Sequence, residues 1–364
     1  MKKKIAIIIN NDIGLYNFRK ELLERLIQKK YKVIILLPKG EKVKDLQRMG
    51  CIFEELYIDR RGTNPFKDLK LLVELRKKII KIKPNIILTY TIKPNIYGGI
   101  ISRFLGIPYI ANITGLGTVL ENPGILQKIA VWMYRAALKN ANCVFCQNKE
   151  NFLFVKNKRL TKTKVRLVPG SGVNLQNFSL QEYPPDGILK FVFVSRIMKE
   201  KGINEYLEAA TKIKQKYPDT QFHICGFCEE EFTEKLEKFQ TEEIVEYHGM
   251  VSDIGQILKD MHCVILPSYH EGMSNALLEG AATGRPLIAS NISGCRECFQ
   301  NQKSGFLVKP RDAKDLTEKI EQFIQISYAE KKKMGLASRI WVEQHFDRDK
   351  VVDTYIQEIQ GGIA

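Results

Sequence analysis

The sequence has no apolar stretch long enough to cross a membrane. Its opening run, Ile5 to Ile9, stops at Asn10, Asn11 and Asp12, which excludes a spanning helix and does not fit a signal peptide. A complete G-x-G-x-x-G is also missing: Gly14 stands alone after that first run, which argues against a dinucleotide-dependent dehydrogenase. Histidine is scarce, and its five copies, His223, His248, His262, His270 and His345, show no regular ligand spacing. Acidic residues are thin in the first half, where residues 1–170 hold 34 Lys and Arg against 12 Asp and Glu. The rest of the chain is net acidic, so the overall charge of +16 belongs to the first half alone. A cytosolic location is expected, and there the eight cysteines stay free thiols unless they hold a metal.

What is present is a regular alternation. Short β-branched runs (Ile5 to Ile9, Lys32 to Leu37, Asn85 to Leu88, Pro108 to Ile113, Asn142 to Cys146, Val165 to Val168) are separated by helical patterns such as Tyr16 to Gln28, Phe66 to Ile82 and Ile125 to Asn140. That βαβ succession implies a buried parallel sheet. The periodicity lapses after Asn177 in a polar stretch with Pro184, Pro185, Asp186 and Gly187, then restarts at Leu189 to Val194, Gln221 to Cys225, Ile244 to Tyr247, Cys263 to Leu266 and Pro286 to Ala289. The expected class is α/β with two Rossmann-like domains facing across a cleft, over residues 1–177 and 189–344. Residues 178–188 are the linker, and 345–364 form a terminal helix able to pack back on the first domain. In such folds ligands sit at the carboxyl ends of strands, so function is expected in loops that follow strands.

Two of those loops carry charge in a useful pattern. In PSYHEGMSNALLEGAATG, from Pro267 to Gly284, Glu271 precedes a turn and Glu279 lies about one turn inside a helix whose amino end is formed by Gly272, Met273, Ser274 and Asn275. That end offers unpaired N–H groups and a positive dipole to an anion. A capped surface loop with two solvated glutamates fits the same spacing. After the strand Phe191 to Val194, Arg196 and Lys201 share one strand-to-helix loop, where a planar fork and a compact charge suit a diphosphate; a solvated basic loop is the plainer alternative.

Taken in order, RIMKEKG with Arg196 and Lys201, EGMSNALLEG with Glu271 and Glu279, PGSGVN at 169–174, GCRE at 294–297 and SGFLVKPRDAKDL at 304–316 resemble the retaining glycosyltransferases of family 4, which have the two-Rossmann GT-B fold. The first-domain segments NDIGLYNFR, DRRGTNPFKDL and NITGLG look like the branch that elongates polyprenyl-diphosphate-linked glycans. The resemblance implies a UDP-sugar donor, a lipid-linked glycan acceptor, and no metal or other cofactor. It also implies that Arg196 and Lys201 clamp the donor diphosphate, Glu279 holds the ribose and Glu271 contacts the transferred sugar. Backbone N–H groups of Gly272, Met273, Ser274 and Asn275 would lie near sugar and phosphate, the base near Gly249, Met250 and Val251, and Gly14 near a diphosphate. On the acceptor side it points to Tyr16, Arg19, Arg60, Arg61, Lys93, Thr114 and Gly115. Thr114 stands where many relatives carry a histidine, and the loop Tyr90 to Asn95 lacks the histidines of many relatives.

Other features compete for attention. Three Cys-x-x-Cys pairs (Cys143 with Cys146, Cys225 with Cys228, Cys295 with Cys298) invite a zinc reading, but Cys143 and Cys146 lie on an expected strand, where residues three apart point to opposite faces, and Cys225, at a strand end, reads as a small core residue. Asp347 and Asp349 precede a final helix pattern, which suits capping. Lys128, Arg135 and Lys139 fall on one side of the Ile125 to Asn140 pattern, beside Ile125, Ile129, Trp132, Met133 and Ala136, and Lys70, Lys77 and Lys81 repeat that spacing. Basic stripes beside an apolar face suit an amphipathic helix on anionic lipid; a solvated outer face above a core-facing stripe fits either helix taken alone, but two such stripes in the basic half favour peripheral attachment to an anionic membrane surface. Nucleic acid is not expected, because the chain has no zinc-finger or RNP-like signature and its aromatics do not cluster with its basic residues.

Overall fold

The computed structural model describes residues 2–59, 64–115 and 124–363. The chain forms two compact units, Met1–Ser171 together with Asp349–Ala364, and Gly172–Arg348. Each is a parallel sheet flanked by helices, the α/β class that the alternation implies.

In the first unit the strands are β1 (Lys4–Ile8), β2 (Lys32–Leu37), β3 (Ile52–Glu55), β4 (Ile86–Tyr90), β5 (Tyr109–Ile113), β6 (Cys143–Cys146) and β7 (Lys164–Leu167), in the order β3-β2-β1-β4-β5-β6-β7. Ile5, Ile7, Val33 and Ile35 join one core cluster while Ala6, Ile8, Ile34 and Leu36 join another. Both faces are therefore covered, and that is why these strands read as unbroken apolar runs rather than as alternating ones. The helix Pro65–Ile82 starts where the Asn64 side chain accepts the N–H groups of Phe66 and Lys67 with Pro65 behind it, and it buries Leu71, Leu75 and Ile79 at helical spacing. Apart from Arg348 at its start, the helix Arg348–Ile363 belongs to this unit. Val351, Val352, Tyr355, Ile356 and Ile359 enter the cluster that contains Ile5 and Val33, and Arg25 pairs with Asp349 at 3.1 Å and Asp353 at 2.9 Å.

The second unit holds β8 (Lys190–Val194), β9 (Gln221–Cys225), β10 (Glu246–Tyr247), β11 (Cys263–Leu266), β12 (Leu287–Ser290) and β13 (Gly305–Val308), in the order β10-β9-β8-β11-β12-β13. The Pro-rich stretch before β8 is tied to this unit: Tyr183 Oη donates to the His262 carbonyl, and Arg285 donates to the carbonyls of Leu258, Lys259 and Glu182. Arg285 is fully buried, so those carbonyls stand in for the water it has lost.

In each sheet the strand order reverses beside the unit's first strand, between β1 and β4 and between β8 and β11. Connections leave those neighbouring strand ends toward opposite faces, which opens a crevice at the carboxyl ends. Among the described residues no helix is long and apolar enough to cross a membrane.

Candidate active site

The crevice of the second unit collects the charged loops. Arg196 follows β8, and its Nη1 lies 3.6 Å from Glu229 Oε1. Lys201 ends a short 3₁₀ turn, Lys199–Lys201, before Gly202 at φ 75°. A Cβ on Gly202 would come within 2.1 Å of the Pro267 carbonyl oxygen, so only glycine lets this turn press against the loop after β11. That contact brings Lys201 to Glu271: Nζ and Oε1 are 2.6 Å apart, and Ser268 Oγ donates to the same oxygen at 2.9 Å. The pair is mostly buried, with side-chain exposures of 18% and 12%.

The turn beyond Glu271 is held from the other side. Ser274 Oγ accepts the Leu277 N–H and caps the helix Asn275–Ala282, while the Ser274 N–H donates to the Gly294 carbonyl. Gly294, at φ 88°, packs so closely that a Cβ there would meet the carbonyl oxygens of Glu271 and Gly272 at 2.8 Å, and Glu297 Oε2 accepts its N–H at 2.7 Å. GCRE thus serves as the support of the EGMS turn. Glu279 lies inside the helix. It keeps a little exposed surface but is densely surrounded, and this burial pushes its carboxyl up to about 7 despite the opposing pull of Arg348. Gly249 (φ 67°), Met250 and Val251 follow β10, with Met250 exposed and the Gly249 carbonyl accepting the Gly226 N–H at 2.8 Å. The sequence reading missed Gly226, where a Cβ would meet the Ser195 carbonyl oxygen at 1.8 Å; a glycine directly after a strand was the available signal.

The crevice of the first unit is organised differently. The Gly14 N–H is taken by Asn11 Oδ1 at 2.6 Å as a helix cap. Tyr16 carries Lys20 and Lys42 over its ring. Arg19 is buried, with its guanidinium over the rings of Tyr90 and Tyr355 at 5.1 and 5.3 Å. After β4, Lys93 pairs with Asp68 at 2.6 Å, and Thr91 sits at φ 71°, a strained conformation for a β-branched residue and one that sequence did not signal. Beneath it Asn95, Thr89, Asn112 and Tyr355 form a closed buried network: Thr89 Oγ1 and Tyr355 Oη donate to the side-chain oxygens of Asn95 and Asn112 at 2.7 and 2.6 Å. Thr114 and Gly115 follow β5 and are partly exposed. Arg60 and Arg61 lie outside the described residues.

All eight cysteines are free, and seven are buried. Burial pushes the thiols of Cys143, Cys146 and Cys225 up to about 12, which suits core packing rather than ligation. Among the described residues one group of potential metal ligands does come together, His223, Glu246 and His248, and none of the five histidines had suggested it by spacing.

Residues 4–148 match the family described as glycosyl transferase 4-like, and residues 179–341 match glycosyl transferases group 1. The chain is 26% identical, over 97% of both chains, to the N,N'-diacetylbacillosaminyl-diphospho-undecaprenol alpha-1,3-N-acetylgalactosaminyltransferase of Campylobacter jejuni. It is 29% identical, over 69% of both, to the UDP-Gal:alpha-D-GlcNAc-diphosphoundecaprenol alpha-1,3-galactosyltransferase of Escherichia coli. Among solved structures, sucrose-phosphate synthase from Thermosynechococcus elongatus superposes with a TM-score of 0.82 at 19% identity over 99% of both chains. HepE from Anabaena, in complex with UDP and glucose, gives 0.80 at 14% identity over 99% of this chain and all of that one. These superpositions assign the GT-B fold, and the two family matches fall one on each Rossmann-like unit. The chain is a family-4-type glycosyltransferase of the GT-B fold.

Proposed function

We propose that the enzyme transfers a hexose or N-acetylhexosamine from a UDP-sugar to a hydroxyl of a polyprenyl-diphosphate-linked glycan, with retention at the anomeric carbon and without a catalytic metal. The observation that carries this reading is the end-to-end correspondence with the Campylobacter enzyme, whose name describes transfer onto a diphospho-undecaprenol-linked sugar. In this reading Arg196 and Lys201 hold the donor diphosphate, and the helix end at Gly272 to Asn275 adds backbone N–H groups. Glu279 accepts hydrogen bonds from the ribose, and the base lies against Gly249 to Val251. The Lys201–Glu271 pair is exchanged on binding: the ammonium turns to phosphate, and the carboxylate to a hydroxyl of the sugar. As the sugar–phosphate bond breaks, the leaving phosphate oxygen accepts the proton of the attacking hydroxyl on the face it leaves. The two cations stabilise the charge that gathers there.

The acceptor is assigned to the first unit, with its diphosphate met by Arg60, Arg61 and Lys93, and with Tyr16, Thr114 and Gly115 along its path. Arg19 works from beneath, fixing the Tyr90 end of β4. Peripheral attachment to an anionic membrane is part of the same proposal. The helix Ile125–Leu138 exposes Ile125 (77%), Leu126 (69%), Ile129 (50%) and Trp132 (69%) beside Lys128 and Arg135. Apolar side chains left in solvent next to cations are what an interfacial helix needs.

The test is a donor screen. UDP-GalNAc, UDP-Gal, UDP-GlcNAc and UDP-Glc are each offered with a panel of polyprenyl-diphosphate sugars, and products are read by mass. One donor and acceptor pair extended by a single sugar is expected. Transfer to soluble sugars alone overturns the acceptor assignment.

A further inference from the structure

We propose that His223, Glu246 and His248 bind one divalent transition-metal ion of the zinc class at the edge of the second unit's sheet, apart from the transfer chemistry. The strand register builds the group. Glu246 on β10 pairs with His223 on β9, so both side chains stand on one face, and His248, two residues further on, returns to that face. The His248 N–H continues the ladder by donating to the Ile224 carbonyl at 2.9 Å, which fixes the approach of its ring.

The donor atoms are already at the spacing a metal requires. His223 Nδ1 and His248 Nε2 are 3.0 Å apart, His223 Nδ1 lies 3.3 Å from one oxygen of Glu246, and His248 Nε2 lies 3.8 Å from the other. Ligands about 2.1 Å from a tetrahedral ion sit roughly 3.4 Å from one another, so small rotations of Glu246 complete three corners. The fourth corner opens beside the exposed carboxylate, where water can enter. Two imidazoles with one carboxylate favour Zn²⁺, Co²⁺ or Ni²⁺ over Mg²⁺ or Ca²⁺, which prefer oxygen. His223 is buried, so its ring is held in place by the packing around it.

Without an ion, one proton must sit between the two facing ring nitrogens. A metal takes that place, and the proton moves to the other nitrogen of its own ring. The ion would clamp the two-residue strand β10 to β9, directly ahead of the loop that begins at Gly249.

The full-length protein, stripped with EDTA, desalted and treated with iodoacetamide to block accessible thiols, is titrated with ZnCl₂ by calorimetry and with CoCl₂ by visible absorption. One ion per chain is expected, with the visible bands of tetrahedral cobalt, a higher unfolding temperature with Zn²⁺, and no response to MgCl₂. Glu246→Gln and His248→Gln change side chains that are exposed or partly exposed, so the fold should persist. Each should weaken Zn²⁺ binding on the order of 100-fold, at least what losing an outer-shell partner costs. Absence of stoichiometric Zn²⁺ binding to the wild type overturns the proposal, and so does undiminished affinity in both variants.

Discussion

The two units share a sheet order and differ in what their crevices do with charge. In the second, cations and carboxylates meet at the strand ends: Lys201 rests on Glu271 and Arg196 lies near Glu229. In the first, Lys93 and Asp68 pair in the same way after β4, but Arg19 is put to structural use with its guanidinium over the rings of Tyr90 and Tyr355, and Ile125, Leu126, Ile129 and Trp132 stand exposed on one helix beside Lys128 and Arg135. One scaffold thus carries pre-paired cations and carboxylates at its strand ends and, in the first unit, a helix with an exposed apolar face. What sets the two units apart is a few loop and helix residues and not the sheet.

The sharpest way to break this contrast is at the paired site. Arg196→Ala and Lys201→Ala should each lower turnover on the order of 10²- to 10³-fold with an unchanged circular-dichroism spectrum, because a preorganised contact to the leaving group is lost. Turnover equal to wild type in both variants would place the diphosphate elsewhere. On the other unit, Arg60→Ala combined with Arg61→Ala should raise the apparent KM for the lipid-linked acceptor about tenfold or more, the scale of one lost charged contact, with UDP affinity intact. Steady-state kinetics with varied acceptor measure this.

Smaller effects sharpen it further. Trp132→Ser with Ile129→Ser should reduce flotation with anionic liposomes while donor hydrolysis continues, and the residual binding should disappear as salt screens the lysines and arginines. Glu279 gives a dependence on pH. Its carboxyl is raised in the folded protein, so its contribution favours folding most at low pH and is lost as pH rises from its unfolded value through about 7. Glu279→Gln should therefore raise the unfolding temperature relative to wild type at pH 8 more than at pH 5. UDP affinity of the wild type should increase across the same interval as the carboxylate forms, and that increase should flatten in the variant. A parallel pH profile in wild type and variant removes the ribose role. EDTA, finally, should leave transfer intact well below the unfolding temperature.

How much of this could be read in the sequence follows from the range of the interactions. The loop after β8 was legible because Arg196, Lys201 and Gly202 sit within seven residues and follow an apolar strand. The helix after Glu271 was legible because its cap, Ser274, adjoins it. The pairing of Lys201 with Glu271 was not, since it depends on Gly202 meeting Pro267, a contact between loops of neighbouring strands. Arg19 was read as projecting toward a ligand, because nothing near it in the chain reveals Tyr355, which arrives from a helix more than three hundred residues on. The stripe Ile125, Ile129 and Trp132 was open to either reading, core or interface, since periodicity identifies an apolar face but not what covers it; Val131, Tyr134, Ala137 and Leu138 are the residues that go inward. His223 and His248 likewise meet through strand register, at a separation no ligand pattern uses.

The placement of the helix Arg348–Ile363 in the first unit bears on how the protein is made. On the ribosome, the segment Gly172–Arg348 has all its strands before that helix emerges, so the second unit can close first although it is encoded later. The first unit must wait with Ile5, Val33 and Ile86 uncovered until Val351, Tyr355 and Ile359 arrive to seal them. A premature stop shortly after Arg348 would consequently leave the second unit with all its core residues and the first unsealed and aggregation-prone. The integrity of the chain's beginning would thus be inspected at its far end.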